Sequence, residues 1–206
     1  MTLVVMTGGA RSGKSSAAEH LARVRHAQGA PVHAAVFGHS AGGDDAEFAE
    51  RIAKHQAGRP EGFVTREYAG GLGWVESAPT DAVLLVDCLG TLLGRVMEEE
   101  WDRVAEPDSL AEADAEQLPD GFEVACIARF DEIVAALSAR KGDTIVVTNE
   151  VGQGIVPAFA SGRLFRDLLG RANRRLIDLA DAAYLVVAGR LIDLASLPRQ
   201  VRWPKD

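Results

Sequence analysis

The sequence predicts an α/β fold in which a mostly parallel central sheet is flanked by helices, and three observations support it. Apolar runs rich in β-branched residues alternate with segments of helical periodicity, a pattern typical of parallel sheets. The run 83–86 is apolar at every position, as expected for a strand covered on both faces. A glycine-rich segment at 8–15 joins the first apolar run to the first helical pattern.

The elements follow in order along the chain. Helical patterns, including one directly after the glycine-rich segment at 16–22, separate the apolar runs. Strands are predicted at 3–6, 32–37, 83–86, 144–148 and 184–188, and further helices at 44–57, 129–140 and 163–180.

Composition predicts one globular domain over residues 1–206. The chain is 47% hydrophobic and 25% charged, which is ordinary for a globular protein. It has no apolar run of the roughly 18 residues that span a bilayer and no basic leader, so a cytoplasmic location without a membrane span is expected. Cys88 and Cys126 lack C-x-x-C spacing, so both are expected to be reduced, with Cys88 buried.

The net charge of −8 is concentrated in one segment. Residues 98–123 carry eleven acidic residues against Arg103 alone. Such a run is most often solvated, and Pro107 and Pro119 disfavour one continuous helix, so we expect an acidic surface excursion. An acidic chain without a basic stripe also makes nucleic acid an unexpected partner.

The segment 8–15 fills the pattern G-x-x-x-x-G-K-[S/T] and therefore predicts a P-loop that binds a nucleoside triphosphate. Its amides and the start of the following helix are expected to face phosphate oxygens. Lys14 is expected to reach the β- and γ-phosphates, and Ser15 to offer its hydroxyl to Mg²⁺. The predicted nucleotide-binding residues of the loop are Gly8, Gly9, Ala10, Arg11, Ser12, Gly13, Lys14 and Ser15.

Asp87 directly follows the buried run 83–86, as in the Walker B arrangement. Ligands of parallel sheets collect at the carboxyl ends of the strands, so this carboxylate could hold Mg²⁺ through a water molecule. The alternative is an aspartate that only caps the following segment.

A third candidate lies in the predicted helix 44–57. Glu47, Arg51 and His55 recur every four residues and share one face. Lys54 and Arg59 place cations near His55, and a neutral imidazole among cations can attack phosphorus. The alternative is a surface histidine near the end of a helix.

Several motifs together resemble one family. They are the P-loop, Arg51-Ile52-x-x-His55-x-x-x-Arg59-Pro60, Thr65-x-Glu67, Leu85-Val86-Asp87-Cys88-Leu89, Asn149-Glu150-Val151-Gly152-x-Gly154-Ile155-Val156-Pro157 and Arg163-x-Phe165-Arg166-Asp167-x-x-Gly170-x-x-Asn173. In order and spacing the chain resembles the bifunctional adenosylcobinamide kinase/adenosylcobinamide-phosphate guanylyltransferase family of cobalamin biosynthesis.

The resemblance implies two reactions. Adenosylcobinamide is phosphorylated by ATP or GTP, and its phosphate then receives GMP from GTP with loss of pyrophosphate. His55 matches the family histidine that carries GMP, with Lys14 as the second catalytic residue. Further guanine-nucleotide contacts implied by the resemblance are Gln56, Ala57, Gly58, Arg59, Glu67 and Asp87, and either Glu67 or Asp87 could read guanine.

The resemblance also implies a homo-oligomer, a trimer. The P-loop and the carboxylate after the run 83–86 predict Mg²⁺ held by Ser15 and Asp87. Substrate binding is expected at 149–157, with a structural turn as the alternative. Two other functions stay open from the residues alone. One is a monofunctional P-loop small-molecule kinase, and the other is a regulatory nucleotide-binding module whose partner docks on 98–123.

Overall fold

The structure is a computed structural model that describes residues 1–37, 62–67, 70–104 and 117–200. Within these ranges strands and helices alternate for most of the chain. The strands are β1 (Leu3–Thr7), β2 (Val32–Val36), β3 (Phe63–Glu67), β4 (Val83–Asp87), β5 (Thr144–Val147), β6 (Ala182–Val187) and β7 (Arg190–Asp193). The helices are α1 (Lys14–Ala27), α2 (Gly73–Glu76), α3 (Leu89–Val104), α4 (Phe122–Ala139) and α5 (Ala160–Leu179).

The strands form one sheet in the order β3-β2-β4-β5-β1-β6-β7. All neighbouring pairs are parallel except β6 and β7. The carboxyl ends of the six parallel strands therefore meet at one edge, which we call the carboxyl edge. Because β5 lies between β1 and β4, the ends of β1 and β4 are two strand spacings apart, about 10 Å.

Alternation along each strand divides the core into two layers. On one face, Val4 and Met6 pack with Ala18 and Ala22 of α1, and both of these alanines are fully buried. Their small side chains let α1 lie close to the sheet. The other face packs against the apolar stripes of α3, α4 and α5, which form the larger core cluster.

The predicted fold class is confirmed, and all five predicted strands are present within two residues of their expected ends. The prediction missed β3 and the exposed β7, and it did not include α3. Helix α4 begins at Phe122, seven residues before the predicted 129, because Gly121 with φ 81° precedes its first turn. The predicted helix 44–57 lies outside the described residues.

The acidic run 98–123 differs from the expected surface excursion at both ends. Residues 98–104 are the last turns of α3, where Glu100 is only 2% exposed and accepts a 3.0 Å hydrogen bond from Arg103. At the other end Phe122 is fully buried as the first residue of α4. Residues 105–116 lie outside the described residues.

The cysteines differ from each other in burial. Cys126 is fully buried, whereas Cys88, which was expected to be buried, is only half-buried because it follows β4 at the carboxyl edge. Neither cysteine forms a disulfide. Among the described residues, no helix combines the length and the apolar character needed to cross a bilayer.

Candidate active site

The segment 8–15 connects β1 to α1 at the carboxyl edge. Gly8 must be a glycine because a Cβ there would overlap the carbonyl oxygen of Val186 on β6. Gly13, the residue before α1, has φ 99°, a left-handed conformation that favours glycine. The two glycines of the predicted motif therefore each meet a specific backbone requirement.

Among the carbonyl groups of the loop that accept hydrogen bonds, three indicate the direction of the loop amides. Gly8 O accepts from the amide of Glu150 at 3.0 Å, and Ser12 O accepts from the amide of Gly189 at 2.8 Å. Gly9 O accepts from Lys14 Nζ at 3.0 Å. In a trans peptide the N–H points opposite to the C=O, so the next amides in the chain are directed away from these bonds. Several loop amides can therefore face a common anion.

The side chains of Lys14 and Ser15, at the end of this loop, lie together with that of Asp87. Ser15 Oγ donates to Asp87 Oδ1 at 3.1 Å, across the two strand spacings that separate β1 from β4. Lys14 is buried, and burial lowers its pKa, while the nearby Cys88 and Asp87 side chains oppose that shift. The structure thus brings together the three side chains that the sequence predicted for phosphate and metal.

Two further hydroxyls are buried close to this loop. Thr7 Oγ1, at the end of β1, and Ser12 Oγ have no hydrogen-bond partner within the described part of the chain. Buried side-chain oxygens normally have a partner, so these two can serve a bound ligand.

The segment that follows β5 also contacts the P-loop, through the amide of Glu150. Thr148 Oγ1 donates to Asn173 Oδ1 at 2.6 Å, and Asn173 Nδ2 donates to the carbonyl oxygen of Asn149 at 2.9 Å. The Glu150 carboxylate accepts from the amide of Gly152 at 2.8 Å. The start of the predicted substrate segment 149–157 is therefore tied to both the P-loop and α5.

Of the remaining predicted residues, only Glu67 falls within the described ranges. The backbone of Glu67 ends β3 at the register level of Asp87, since both are paired with Val36. His55 and its predicted neighbours Gln56, Ala57, Gly58 and Arg59 lie outside the described residues.

Sequence reasoning did not find one contributor to the site, the turn between β6 and β7. Its Gly189 donates to Ser12 and lies against Gly13, where a Cβ would come within 3.3 Å of Gly189 Cα. No local pattern could have indicated this contact, because the two glycines are far apart in the sequence.

The class is that of the P-loop nucleotide-binding proteins. It is defined by a P-loop after the first strand and by a serine hydroxyl that donates a hydrogen bond to a carboxylate at the end of another parallel strand. Solved structures that resemble the chain include a KaiC-like protein from Pyrococcus horikoshii, with a TM-score of 0.40, 13% identity and coverage of 89% of this chain and 70% of that one. A solved ATPase domain gives a TM-score of 0.43 at 11% identity, covering 89% of this chain and 68% of that one.

Sequence comparison identifies the family. The sequence model of the cobinamide kinase / cobinamide phosphate guanyltransferase family, CobU, matches residues 4–194, and the chain belongs to this family. It is 36% identical to the bifunctional adenosylcobalamin biosynthesis protein CobU of Salmonella typhimurium, over 91% of this chain and 96% of that protein. The Escherichia coli K12 protein of the same name is 35% identical with the same coverage. The corresponding CobP protein of Pseudomonas aeruginosa is 30% identical, over 94% and 98%.

Proposed function

We propose that the loop of residues 8–15 binds the nucleoside triphosphate for both reactions of the family, kinase and guanylyltransferase. The observation that carries this proposal is the 3.1 Å hydrogen bond between Ser15 and Asp87 beside the buried Lys14. The loop amides and the Lys14 ammonium would hold the β- and γ-phosphates. Lys14 would give up its hydrogen bond to Gly9 O for a phosphate oxygen, and a nearby anion would favour its charged form.

The residues present fit Mg²⁺ as the cofactor. The ion prefers oxygen ligands and keeps waters and substrate phosphates in its coordination shell, so a serine hydroxyl and one carboxylate suffice from the protein. The described residues contain no cluster of three histidine, cysteine or acidic side chains able to bind a metal by themselves, which fits an ion that arrives with the nucleotide. Bound there through Ser15 and Asp87, it would neutralise charge on the phosphates.

For the kinase reaction, the acceptor is the hydroxyl of the aminopropanol arm of adenosylcobinamide. The hydroxyl oxygen forms a bond to the γ-phosphorus of ATP or GTP and loses its proton to water, and the bond between that phosphorus and the bridging oxygen of the nucleoside diphosphate breaks. Lys14 would stabilise charge on the departing diphosphate. The segment 149–157, which starts beside the P-loop, would contact the corrinoid substrate.

For guanylyl transfer we propose His55 as the nucleophile. A ring nitrogen of His55 forms a bond to the α-phosphorus of GTP as pyrophosphate leaves, giving a phosphoramidate. An oxygen of adenosylcobinamide phosphate then attacks the same phosphorus, and the nitrogen–phosphorus bond breaks to release adenosylcobinamide-GDP. The support is the sequence around His55, where Lys54 and Arg59 supply positive charge, together with membership of the family.

We propose different tasks for Asp87 and Glu67. Asp87 accepts a hydrogen bond from Ser15, so we assign it to the phosphates and the metal ion. Glu67 ends β3, two strands from Asp87 at the same register level. We therefore assign Glu67 to guanine, whose N1–H and exocyclic amine need an acceptor, with Gln56, Ala57, Gly58 and Arg59 as further nucleotide contacts.

The decisive experiment uses GTP labelled at either the α- or the γ-phosphate. The protein is incubated with Mg²⁺ and each substrate, denatured, and analysed for label on the peptide that contains His55. We expect an acid-labile adduct that carries the α label only. His55→Ala should lose the adduct and guanylyl transfer but keep kinase activity, whereas His20→Ala, at an exposed histidine of α1, should keep both.

Other results would contradict specific parts of the proposal. A protein that binds GTP but forms no adduct would be a simple kinase. Equal loss of both activities in a folded His55→Ala protein would show that the two reactions cannot be separated at this residue.

A further inference from the structure

The side chain of Asn173 on α5 reaches the segment that follows β5. We infer that Asn173 is a positioning residue for the nucleotide site, acting through Thr148 and the Asn149–Glu150 peptide on the Gly9 amide of the P-loop. The inference rests on the proposed function of that loop, because it concerns how tightly the loop holds phosphate.

Asn173 and Thr148 form a buried polar pair. Thr148 is fully buried and Asn173 is 4% exposed. The Thr148 hydroxyl donates to Asn173 Oδ1 at 2.6 Å, so that atom is the acceptor and the amide nitrogen faces the other way. The nitrogen donates to the carbonyl oxygen of Asn149 at 2.9 Å. One amide therefore holds both a side chain and a backbone carbonyl of the same segment.

The Asn149–Glu150 peptide bridges α5 and the P-loop. Its carbonyl accepts from Asn173, and its N–H donates to Gly8 O at 3.0 Å. The two groups point in opposite directions in a trans peptide, so a rotation of this peptide breaks both bonds together. Fixing the carbonyl from the α5 side thus aims the Glu150 amide at Gly8.

The same geometry extends one peptide further. Because Gly8 O is bonded to Glu150, the amide of Gly9 is turned to the opposite side, where loop amides would meet phosphate. The amide of Thr148 also donates to Met6 O at 2.9 Å, which keeps this segment aligned with the end of β1. The orientation of Asn173 is therefore transmitted through two peptide planes to an amide of the site.

The chain offers a matched pair of variants for the test. Thr148 and Thr144 lie at opposite ends of the same strand region and are both buried. Thr144 Oγ1 makes a 3.4 Å contact with Gly142 O, at the edge away from the P-loop. Each threonine is replaced by valine, which keeps the shape and removes the hydroxyl. Asn173→Asp is added because it keeps an acceptor for Thr148 but removes the donor to Asn149.

The readouts are the Kd for GTP with Mg²⁺ and the midpoint of thermal unfolding. We expect Thr148→Val and Asn173→Asp to raise the Kd about tenfold, the effect of one misaligned buried hydrogen bond. Thr144→Val removes the same hydroxyl from a buried position but should bind GTP like the unmodified protein. If Thr148→Val does not fold, Asn173→Asp supplies the measurement.

The outcomes separate this inference from the proposed function. An unmodified protein that does not bind GTP would refute the nucleotide site itself. An unmodified protein that binds GTP, with Thr148→Val and Asn173→Asp binding equally well, would overturn the positioning role alone. A Kd increase of the same size in Thr144→Val would also overturn it, because the effect would then follow general destabilisation.

Discussion

His33, a buried residue of β2, is held in its neutral form by its neighbours. It is 7% exposed, and its Nδ1 accepts a 2.8 Å hydrogen bond from Arg66 Nε. A ring nitrogen that accepts a hydrogen bond carries no proton, so the neutral ring has its proton on Nε2. Burial lowers the pKa of His33, Arg66 and Arg140 lower it further, and Asp81 opposes them.

This shift predicts a loss of stability in mild acid. The unfolded chain binds the proton near the ordinary histidine pKa of about 6.5, before the folded chain does, so the free energy of unfolding falls as the pH drops below that value. The contribution of one such proton is at most about 1.4 kcal/mol per pH unit. Urea unfolding at several pH values from 7.5 to 5.5 measures it. His33→Gln should flatten the slope, whereas His20→Gln, at an exposed site, should not; identical slopes in all three proteins would contradict this account.

One side chain joins the end of α4 to the edge of the sheet where the parallel strands begin, which we call the amino edge. Arg140, which ends α4, is 7% exposed, and its guanidinium donates to the carbonyl oxygens of Asp143, Ala78, Pro79 and Ala82. Asp143 and Ala82 directly precede β5 and β4. The contact therefore fixes the helix to the starts of two central strands, at the edge opposite to the candidate site.

Removing this contact should affect stability and leave binding unchanged. Arg140→Met keeps an apolar side chain but leaves buried carbonyl groups without their hydrogen-bond donor. We therefore expect the free energy of unfolding to fall by about 3 kcal/mol. Chemical denaturation checks the value, with the exposed Lys141→Met as the control. The Kd for GTP at a temperature where the variant is folded should match that of the unmodified protein. A large increase in Kd would mean that the amino edge also shapes the site.

The elements also show what sequence patterns can and cannot predict. Fully apolar runs such as 83–86 predicted buried strands, and the end of that run placed Asp87 beside the P-loop. Strand β3, in which only Phe63 and Val64 are apolar, and the wholly exposed β7 lack such a run and were missed. The contact of Gly189 with Ser12 depends on how distant segments pack, which no local periodicity encodes.

Across the whole molecule, the parallel sheet separates two kinds of polar contact. At the carboxyl edge, polar groups such as Ser15 and Asp87 face the space where a ligand would bind, and Thr148 and Asn173 support them. At the amino edge, Arg140 donates to backbone carbonyl groups beside the starts of β4 and β5, and Arg25 pairs with Asp143. The candidate site and these stabilising contacts therefore lie at opposite edges of the sheet.

The loop 151–159 exposes apolar side chains beside the carboxyl edge, and these carry a prediction about assembly. Ile155 is 97% exposed and Val156 is 60% exposed. The family resemblance implies a trimer, and we propose that this loop lies at its subunit border. Sedimentation velocity at several protein concentrations should then show a trimer for the unmodified chain. Ile155→Asp should shift it toward the monomer, because a buried, unpaired charge would destabilise an apolar contact.

A matched control is available on α4, where Val124 is 71% exposed. Val124→Asp adds the same charge to another exposed apolar position and should leave the trimer intact. If both aspartate variants dissociate equally, net charge rather than the loop governs assembly. A monomeric unmodified protein would contradict the proposed border outright. A trimer that survives Ile155→Asp would contradict the border role alone and leave the contact with the corrinoid proposed above, which loss of guanylyl transfer in the intact trimer would support.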